Sequence, residues 1–146
     1  MALDDRDQAN GCLQLVPGSH TWDVLCTQPA DTNVSISDVT VPLPPGQAVQ
    51  PVPMAPGDVL FFNGSLVHGS YPNTTADRFR RALIGHYIEG AAEQVAEFYH
   101  PALRMDGSEL ELNKSVGGGA CGVWVDQSGQ PAIAFTGDEA RYRKHE

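Results

Sequence analysis

Positively charged residues are scarce in this sequence. Lysine and arginine together number 9, against 18 aspartate and glutamate residues, so the formal net charge at pH 7 is -9. A surface with that balance repels polyanions, which argues against nucleic acid or an anionic membrane as a partner. The remaining composition, 41% hydrophobic and 18% charged, is typical of a globular domain.

Cysteines and long apolar runs are also few. Cys12, Cys26 and Cys121 are widely spaced and form no CxxC pair. An odd number at such spacings is not typical of a disulfide framework, so we expect three reduced, small apolar side chains. No apolar run approaches membrane-spanning length, and the polar opening MALDDRDQANG does not resemble a signal peptide. These features predict a cytoplasmic protein.

Glycine and proline, 15 and 11 in number, separate short apolar runs and so favour a mainly β fold, a sandwich or barrel, over a helical bundle. The proline-rich run at residues 49–54 fits only a sheet edge or a loop. The runs that we predict to be extended are Cys12–Val16, Asp38–Leu43, Val49–Met54, Val59–Phe62, Ser65–Ser70 and Phe79–Ile88.

The pattern changes in the last third of the chain. Apolar residues at helical spacing predict a short helix over Gly90–Tyr99. Gly117–Gly119 predicts a flexible joint, and Val123–Val125 with Ile133–Phe135 predicts a small hairpin. We therefore expect a main domain over residues 1–105 and a C-terminal extension over residues 106–146.

Three polar residues stand out near the predicted strands. A single histidine at the end of a strand, such as His68, is usually structural. Ser70 lies two residues later, however, so its hydroxyl points to the same side of an extended strand. Arg80 lies on an otherwise apolar strand face, where a guanidinium needs an anion, and its planar fork suits a carboxylate. Together they could hold a small dicarboxylate that also chelates a metal.

Four successive stretches carry a resemblance to the phytanoyl-CoA dioxygenase family, over roughly residues 2–105. They are ALDDRDQANGCLQLVPGSH, APGDVLFFNGSLVHGS, the PNTT loop and FRRALIGHY. The resemblance implies a double-stranded β-helix, or jelly roll, and a dioxygenase that oxidises a small organic substrate. It implies iron(II) as the metal, 2-oxoglutarate and O2 as cosubstrates, and it allows ascorbate as a further reductant.

The same resemblance implies roles for individual residues. His68 matches the family's distal iron ligand, and Ser70 and Arg80 match the pair that holds the far carboxylate of 2-oxoglutarate. Arg78 and Arg81 are close enough to compete for this role, but the register of FRRA favours Arg80.

The family's His-x-Asp ligand pair is missing, since none of the five histidines is followed two residues later by a carboxylate. His86 shares the face of Arg80, and a packed core histidine is favoured there over a third ligand. Either the chain is truncated ahead of Met1, or it is a degenerate relative; the intact motifs favour truncation. The alternatives to an oxygenase are a non-catalytic jelly-roll module that binds an acid without metal, and an inert fragment.

Overall fold

The computed structural model describes residues 1–33, 35, 37–115, 121–127 and 130–136. The predicted glycine joint at residues 117–119 lies outside these ranges. Two compact units are present: one takes in the described residues of Met1–Ile84 and Ala120–Glu146, and the other those of Gly85–Gly119. The sequence predicted that the part resembling the family ends at residue 105. That boundary is a different division from these two units, and it stays a prediction.

Short strands dominate the described residues, as the composition predicts. Their bounds are β1 Leu13–Leu15, β2 Gln28–Pro29, β3 Val39–Thr40, β4 Gln50–Val52, β5 His68–Ser70, β6 Gln94–Ala96, β7 Ala102–Leu103, β8 Glu109–Leu110, β9 Asn113–Ser115, β10 Cys121–Gln127 and β11 Gln130–Thr136. Two three-residue 3-10 turns, Ser19–Thr21 and Glu97–Tyr99, complete the regular structure there. No helix in these ranges is both long and apolar enough to cross a membrane.

The largest sheet of the described chain has three strands in the order β4-β1-β5, and both pairings are antiparallel. Leu13 lies opposite Ser70 and Leu15 opposite His68. The proline-containing β4 lies at an edge of the sheet, as predicted. Pro51 has no backbone N–H to donate, and at an edge this interrupts no hydrogen bonding between central strands. This sheet fixes the strand that carries two of the candidate site residues.

Two predicted strands are wrong. Val59–Phe62 pairs with no other described residue, and Phe79–Ile88 makes one isolated bridge, between Ala82 and Ala2. The reason is physical, because a strand forms only where a neighbour completes its hydrogen bonds. Consequently several large apolar side chains in these stretches are open to solvent, including Phe61 at 81% and Ile84 at 75% exposure.

The N-terminal residues join these two stretches at one end. The Ala2 amide donates to the Asp58 carbonyl at 2.9 Å, and the Leu3 amide donates to the Arg81 carbonyl at 3.0 Å. The Leu83 amide in turn donates to the Met1 carbonyl at 3.0 Å. Met1–Leu3 therefore lies between the segment that follows Pro56 and the arginine-rich segment.

The short helix predicted over Gly90–Tyr99 is also wrong. Residues Gln94–Ala96 form β6, which pairs in parallel with β9, and a 3-10 turn follows over Glu97–Tyr99. An apolar pattern over only ten residues fits a helix and a strand about equally well, so the partner strand decides. His86 is exposed and lies edge-on to Tyr99, with ring centroids 5.3 Å apart, which corrects its assignment to a packed core.

The C-terminal hairpin is confirmed. Strands β10 and β11 pair antiparallel from Cys121 opposite Thr136 to Gln127 opposite Gln130. A disulfide joins Cys26 to Cys121, with the two Cα atoms 4.7 Å apart, so the expectation of three reduced cysteines is wrong for this pair. Cys12 is free and buried. A disulfide is unusual in a reducing compartment, so the cytoplasmic location stays a prediction.

The buried core of the described residues is small. Its apolar members in the first unit are Ala2, Cys12, Val16, Leu25, Met54 and Leu66. They lie along the three-stranded sheet and the loops that flank it. The same sheet carries two of the candidate site residues, His68 and Ser70. The described strands form one three-stranded sheet and four strand pairs. The jelly-roll topology itself stays a prediction.

Candidate functional site

His68 opens β5, where the apolar stretch ends. Its side chain is exposed, and its Nδ1 lies 2.8 Å from the Leu66 carbonyl oxygen. Because a carbonyl oxygen can only accept, Nδ1 must carry a proton in this contact, so Nε2 is the ring nitrogen that could bind a metal. Metal-binding histidines are commonly oriented by this kind of bond to a backbone carbonyl. The centroid of the Phe62 ring lies 4.6 Å from that of the imidazole, so Phe62 restricts the space on one side of the His68 ring.

Ser70 ends the same strand and faces the same side as His68 because side chains alternate along a strand. It is half-buried, and its Oγ accepts a long hydrogen bond of 3.4 Å from Nη1 of Arg80. The structure thus brings together the two residues that the sequence predicted to bind a carboxylate. Because this hydrogen bond is long and therefore weak, the guanidinium N–H groups of Arg80 can still donate to an anion.

The three neighbouring arginines differ in their partners. Arg78 donates to a carboxylate oxygen of Asp7 at 2.8 Å. Arg81 donates to both carboxylate oxygens of Asp4, from Nη2 at 2.7 Å and from Nε at 3.0 Å. Arg80 has no carboxylate partner among the described residues. Of the three guanidinium groups it is therefore the one left for an external anion.

The electrostatics agree with this division of roles. The hydrogen bonds from Arg81 lower the pKa of Asp4 from 3.8 to about 2, and the pKa of Arg81 is raised in return. The hydrogen bond from Arg78 lowers the pKa of Asp7. Both carboxylates are thus stabilised in their charged form, so at neutral pH each remains committed to its own arginine.

An iron site needs more ligands than this arrangement supplies. A facial non-haem iron site takes two histidines and one carboxylate. The described residues contain no group of three or more histidine, cysteine, aspartate or glutamate side chains placed to hold a metal ion. His68 fits one position of such a set through its Nε2 atom. The set is incomplete within the described chain, whereas the two residues predicted to bind a carboxylate, Ser70 and Arg80, are in contact.

Some contributors were missed at the sequence level. One is Asp4, whose side chain is only 19% exposed and holds Arg81. Asn10, fully buried, donates from Nδ2 to the Phe79 carbonyl at 3.0 Å. The sequence signal was the NGCL motif, which was used for the resemblance but given no structural role. Buried asparagines followed by glycine often fix turns, and this one fixes the backbone next to Arg80.

His20 is exposed in the turn Ser19–Thr21. Its backbone carbonyl accepts a hydrogen bond of 3.2 Å from Nδ2 of Asn63. This contact ties the backbone of the turn to Asn63. Ser19 also holds the turn, because its buried Oγ accepts a hydrogen bond of 2.8 Å from the Val67 amide.

Comparisons with known proteins identify relatives of this chain. A protein named dioxygenase lolE1 from Epichloe uncinata is 39% identical over 87 residues, which cover 60% of this chain and 31% of the relative. Dioxygenase aneA from Aspergillus aculeatus is 37% identical over 82 residues, 56% of this chain and 23% of the relative. Phytanoyl-CoA dioxygenase domain-containing protein 1 from Bos taurus is 34% identical over 95 residues, 62% of this chain and 32% of the relative.

This chain therefore spans about a quarter to a third of the length of these relatives. No solved structure matches it. The family model described as phytanoyl-CoA dioxygenase matches residues 1–82, which include His68, Ser70 and Arg80. Since that match covers more than half of the sequence, the chain belongs to the phytanoyl-CoA dioxygenase family.

Proposed function

We propose that this chain carries the cosubstrate anchor and one metal ligand of an iron(II)- and 2-oxoglutarate-dependent dioxygenase that oxidises a small organic substrate. In this proposal Arg80 and Ser70 bind the far carboxylate of 2-oxoglutarate, and His68 is one iron ligand. The jelly-roll fold and the extent of the family-like part, residues 1–105, belong to the same proposal.

One observation carries the proposal: Arg80 has no carboxylate partner among the described residues, whereas its neighbours Arg78 and Arg81 each have one. A half-buried cation without a counter-ion is unfavourable unless an anion reaches it. The hydroxyl of Ser70 adds a second donor at the same place. A dicarboxylate bound there would receive charge-assisted hydrogen bonds, which are about twice as strong as neutral ones.

The contribution of His68 is to offer an imidazole nitrogen in a fixed orientation. Its Nδ1–H is held by the Leu66 carbonyl, so the ring presents Nε2 without any rearrangement. Bound iron(II) would supply the chemistry with dioxygen. The other iron ligands do not come from the described residues, so the activity of the isolated chain is not part of this proposal.

Calorimetric titration of 2-oxoglutarate into this chain tests the anchor. We expect Arg80→Ala to weaken binding by about tenfold or more, as for the loss of a hydrogen bond to a charged group. Arg81→Ala removes the same charge from the same segment and is the matched control, with an expected change of about twofold or less. Equal losses in the two variants would overturn the assignment. Binding that depends on Arg80 but is unaffected by iron(II) under anaerobic conditions would instead favour an acid-binding module without metal.

A further inference from the structure

Gly11 lies against the side chain of Arg80. A Cβ atom added at Gly11 would be 2.9 Å from Nε of Arg80, 3.0 Å from its Cδ and 2.6 Å from the Tyr71 carbonyl oxygen. Favourable van der Waals contacts are about 3.5–4.0 Å between heavy atoms, so any other residue would push the guanidinium stem or the Tyr71 backbone aside. The bare glycine backbone therefore forms one wall of the space that Arg80 occupies.

This crowding distinguishes Gly11 from other glycines of similar backbone conformation. Gly11 has φ +88°, in the left-handed region that favours glycine. Gly18 and Gly57 have φ +82° and +96°, yet a Cβ at either position would meet nothing within 4 Å. The backbone angle explains why glycine suits all three positions. The close approach to Arg80 belongs to Gly11 alone among these three.

Asn10 fixes the segment on which Arg80 sits. Its fully buried side chain donates from Nδ2 to the carbonyl oxygens of Asp5, at 2.8 Å, and Phe79, at 3.0 Å. Its Oδ1 accepts from the Asp7 amide at 2.8 Å. The residue immediately before Arg80 is thus tied to the same turn that presents Gly11.

The turn is also connected to the other half of the anchor. The Tyr71 amide donates to the Cys12 carbonyl at 3.0 Å, and Ser70 lies opposite Leu13 in the sheet. The residues directly after Gly11 therefore hold the strand that carries Ser70. With Asn10 holding Phe79, one short turn contacts the backbone beside both members of the anchor.

We infer that Asn10 and Gly11 are positioning residues, which set where the Arg80 guanidinium stands relative to Ser70 and so set how tightly these two residues hold a carboxylate together. The inference rests on the proposed function, because it assumes that Arg80 binds the far carboxylate. Gly11 acts by contact with the Arg80 stem, and Asn10 acts through the backbone of Phe79. Neither residue touches the ligand.

The test measures the binding of 2-oxoglutarate to this chain and its variants, each with and without Ser70→Ala. Gly11→Ala should weaken 2-oxoglutarate binding by about tenfold, and Ser70→Ala should then cost at least about threefold less affinity than in the parent, since the guanidinium is displaced from Ser70. Gly18→Ala and Gly57→Ala impose the same backbone cost without the crowding and should leave the cost of Ser70→Ala unchanged. A general loss of stability would not change it either.

A double-mutant cycle adds a second readout. Arg80→Lys should cost less in the Gly11→Ala background than in the parent, because the displaced arginine has already lost its position. Asn10→Ser, which removes the amide that holds Phe79, is a second variant and should also reduce the cost of Ser70→Ala.

The possible outcomes distinguish a failure of the proposed function from a failure of the positioning role. If Arg80→Ala has no effect on 2-oxoglutarate binding, the proposed function fails. If Arg80→Ala abolishes binding while Ser70→Ala costs as much in Gly11→Ala and Asn10→Ser as in the parent, the positioning role is overturned and the anchor stands. Loss of folding in both variants, seen by circular dichroism, assigns the pair to folding alone and also overturns it.

Discussion

The disulfide between Cys26 and Cys121 makes a strong prediction about stability. It connects the loop after the Ser19–Thr21 turn to the start of the C-terminal hairpin, with 95 residues of sequence separation. Backbone bonds accompany it, because the Cys26 amide donates to the Gly122 carbonyl at 2.9 Å and the Gly122 amide donates to the Val24 carbonyl at 2.8 Å. The perturbation is Cys26→Ser, or reduction of the parent protein.

The size of the effect follows from the loop that the bond closes. For a loop of this length, the loss of unfolded-state entropy alone corresponds to about 4–5 kcal/mol, and measured values are typically about 2–4 kcal/mol. With a urea dependence of about 1–3 kcal/mol per molar, the unfolding midpoint should fall by about 1 M or more. The backbone bonds around Gly122 remain, but they then close the loop without a covalent link.

Urea unfolding with and without reductant measures this effect. Reduced parent protein, Cys26→Ser and the double variant with Cys121→Ser should share one lowered midpoint, and reductant should not change either variant. Thiol titration in denaturant should find one reactive cysteine, Cys12, before reduction and three after it. Three reactive thiols before reduction, in protein purified without reductant, would refute the bond.

Three further predictions follow from other contacts. Because the pKa of Asp4 is lowered from 3.8 to about 2, its contribution to stability is present above pH 3.8 and is lost as the pH falls towards 2. The difference in urea midpoint between the parent and Asp4→Asn should therefore shrink over that interval. A constant difference would contradict the ion pair with Arg81. Iron(II) should bind this chain weakly, through His68 as one ligand, and tight stoichiometric binding in anaerobic calorimetry would be contrary to this. Replacing the exposed Phe61 and Ile84 by serine should reduce self-association in sedimentation velocity, since exposed apolar edges promote aggregation, whereas an unchanged distribution would mean that these edges are already covered.

The sequence was sufficient for the parts of the fold that are locally encoded. Strand β1, edge strand β4 and the C-terminal hairpin all follow from short-range alternation and turn residues. The sequence was not sufficient where the presence of a neighbouring strand decides whether a segment forms a strand. Residues 59–62 and 79–88 have the strongest strand composition in the chain, yet they lack a ladder because composition does not supply a neighbouring strand.

The candidate site shows the same limit. Motif and spacing singled out His68, Ser70 and Arg80, and the contact between Ser70 and Arg80 agrees with the predicted pair. The choice of Arg80 over its neighbours rested on register in the sequence. The structure supplies a physical reason, the carboxylate partners of Arg78 and Arg81, which lie more than 70 residues away along the chain and could not be paired by inspection.

The disulfide and the role of Gly11 could not have been predicted either. Both depend on contacts between residues far apart in sequence, Cys26 with Cys121 and Gly11 with Arg80. An odd number of cysteines gives no indication of which two will meet. A glycine in a turn likewise gives no indication of which side chain will pack against it.

The central claim is that Arg80, and not its neighbours, receives the carboxylate of 2-oxoglutarate. The most direct measurement is the side-chain Nε–H resonances of the arginines, followed by NMR while 2-oxoglutarate is added to this chain. The account predicts that the Arg80 resonance shifts in a saturable way, while that of Arg81, held by Asp4, stays in place. A saturable shift of Arg78 or Arg81 with a stationary Arg80 would contradict it.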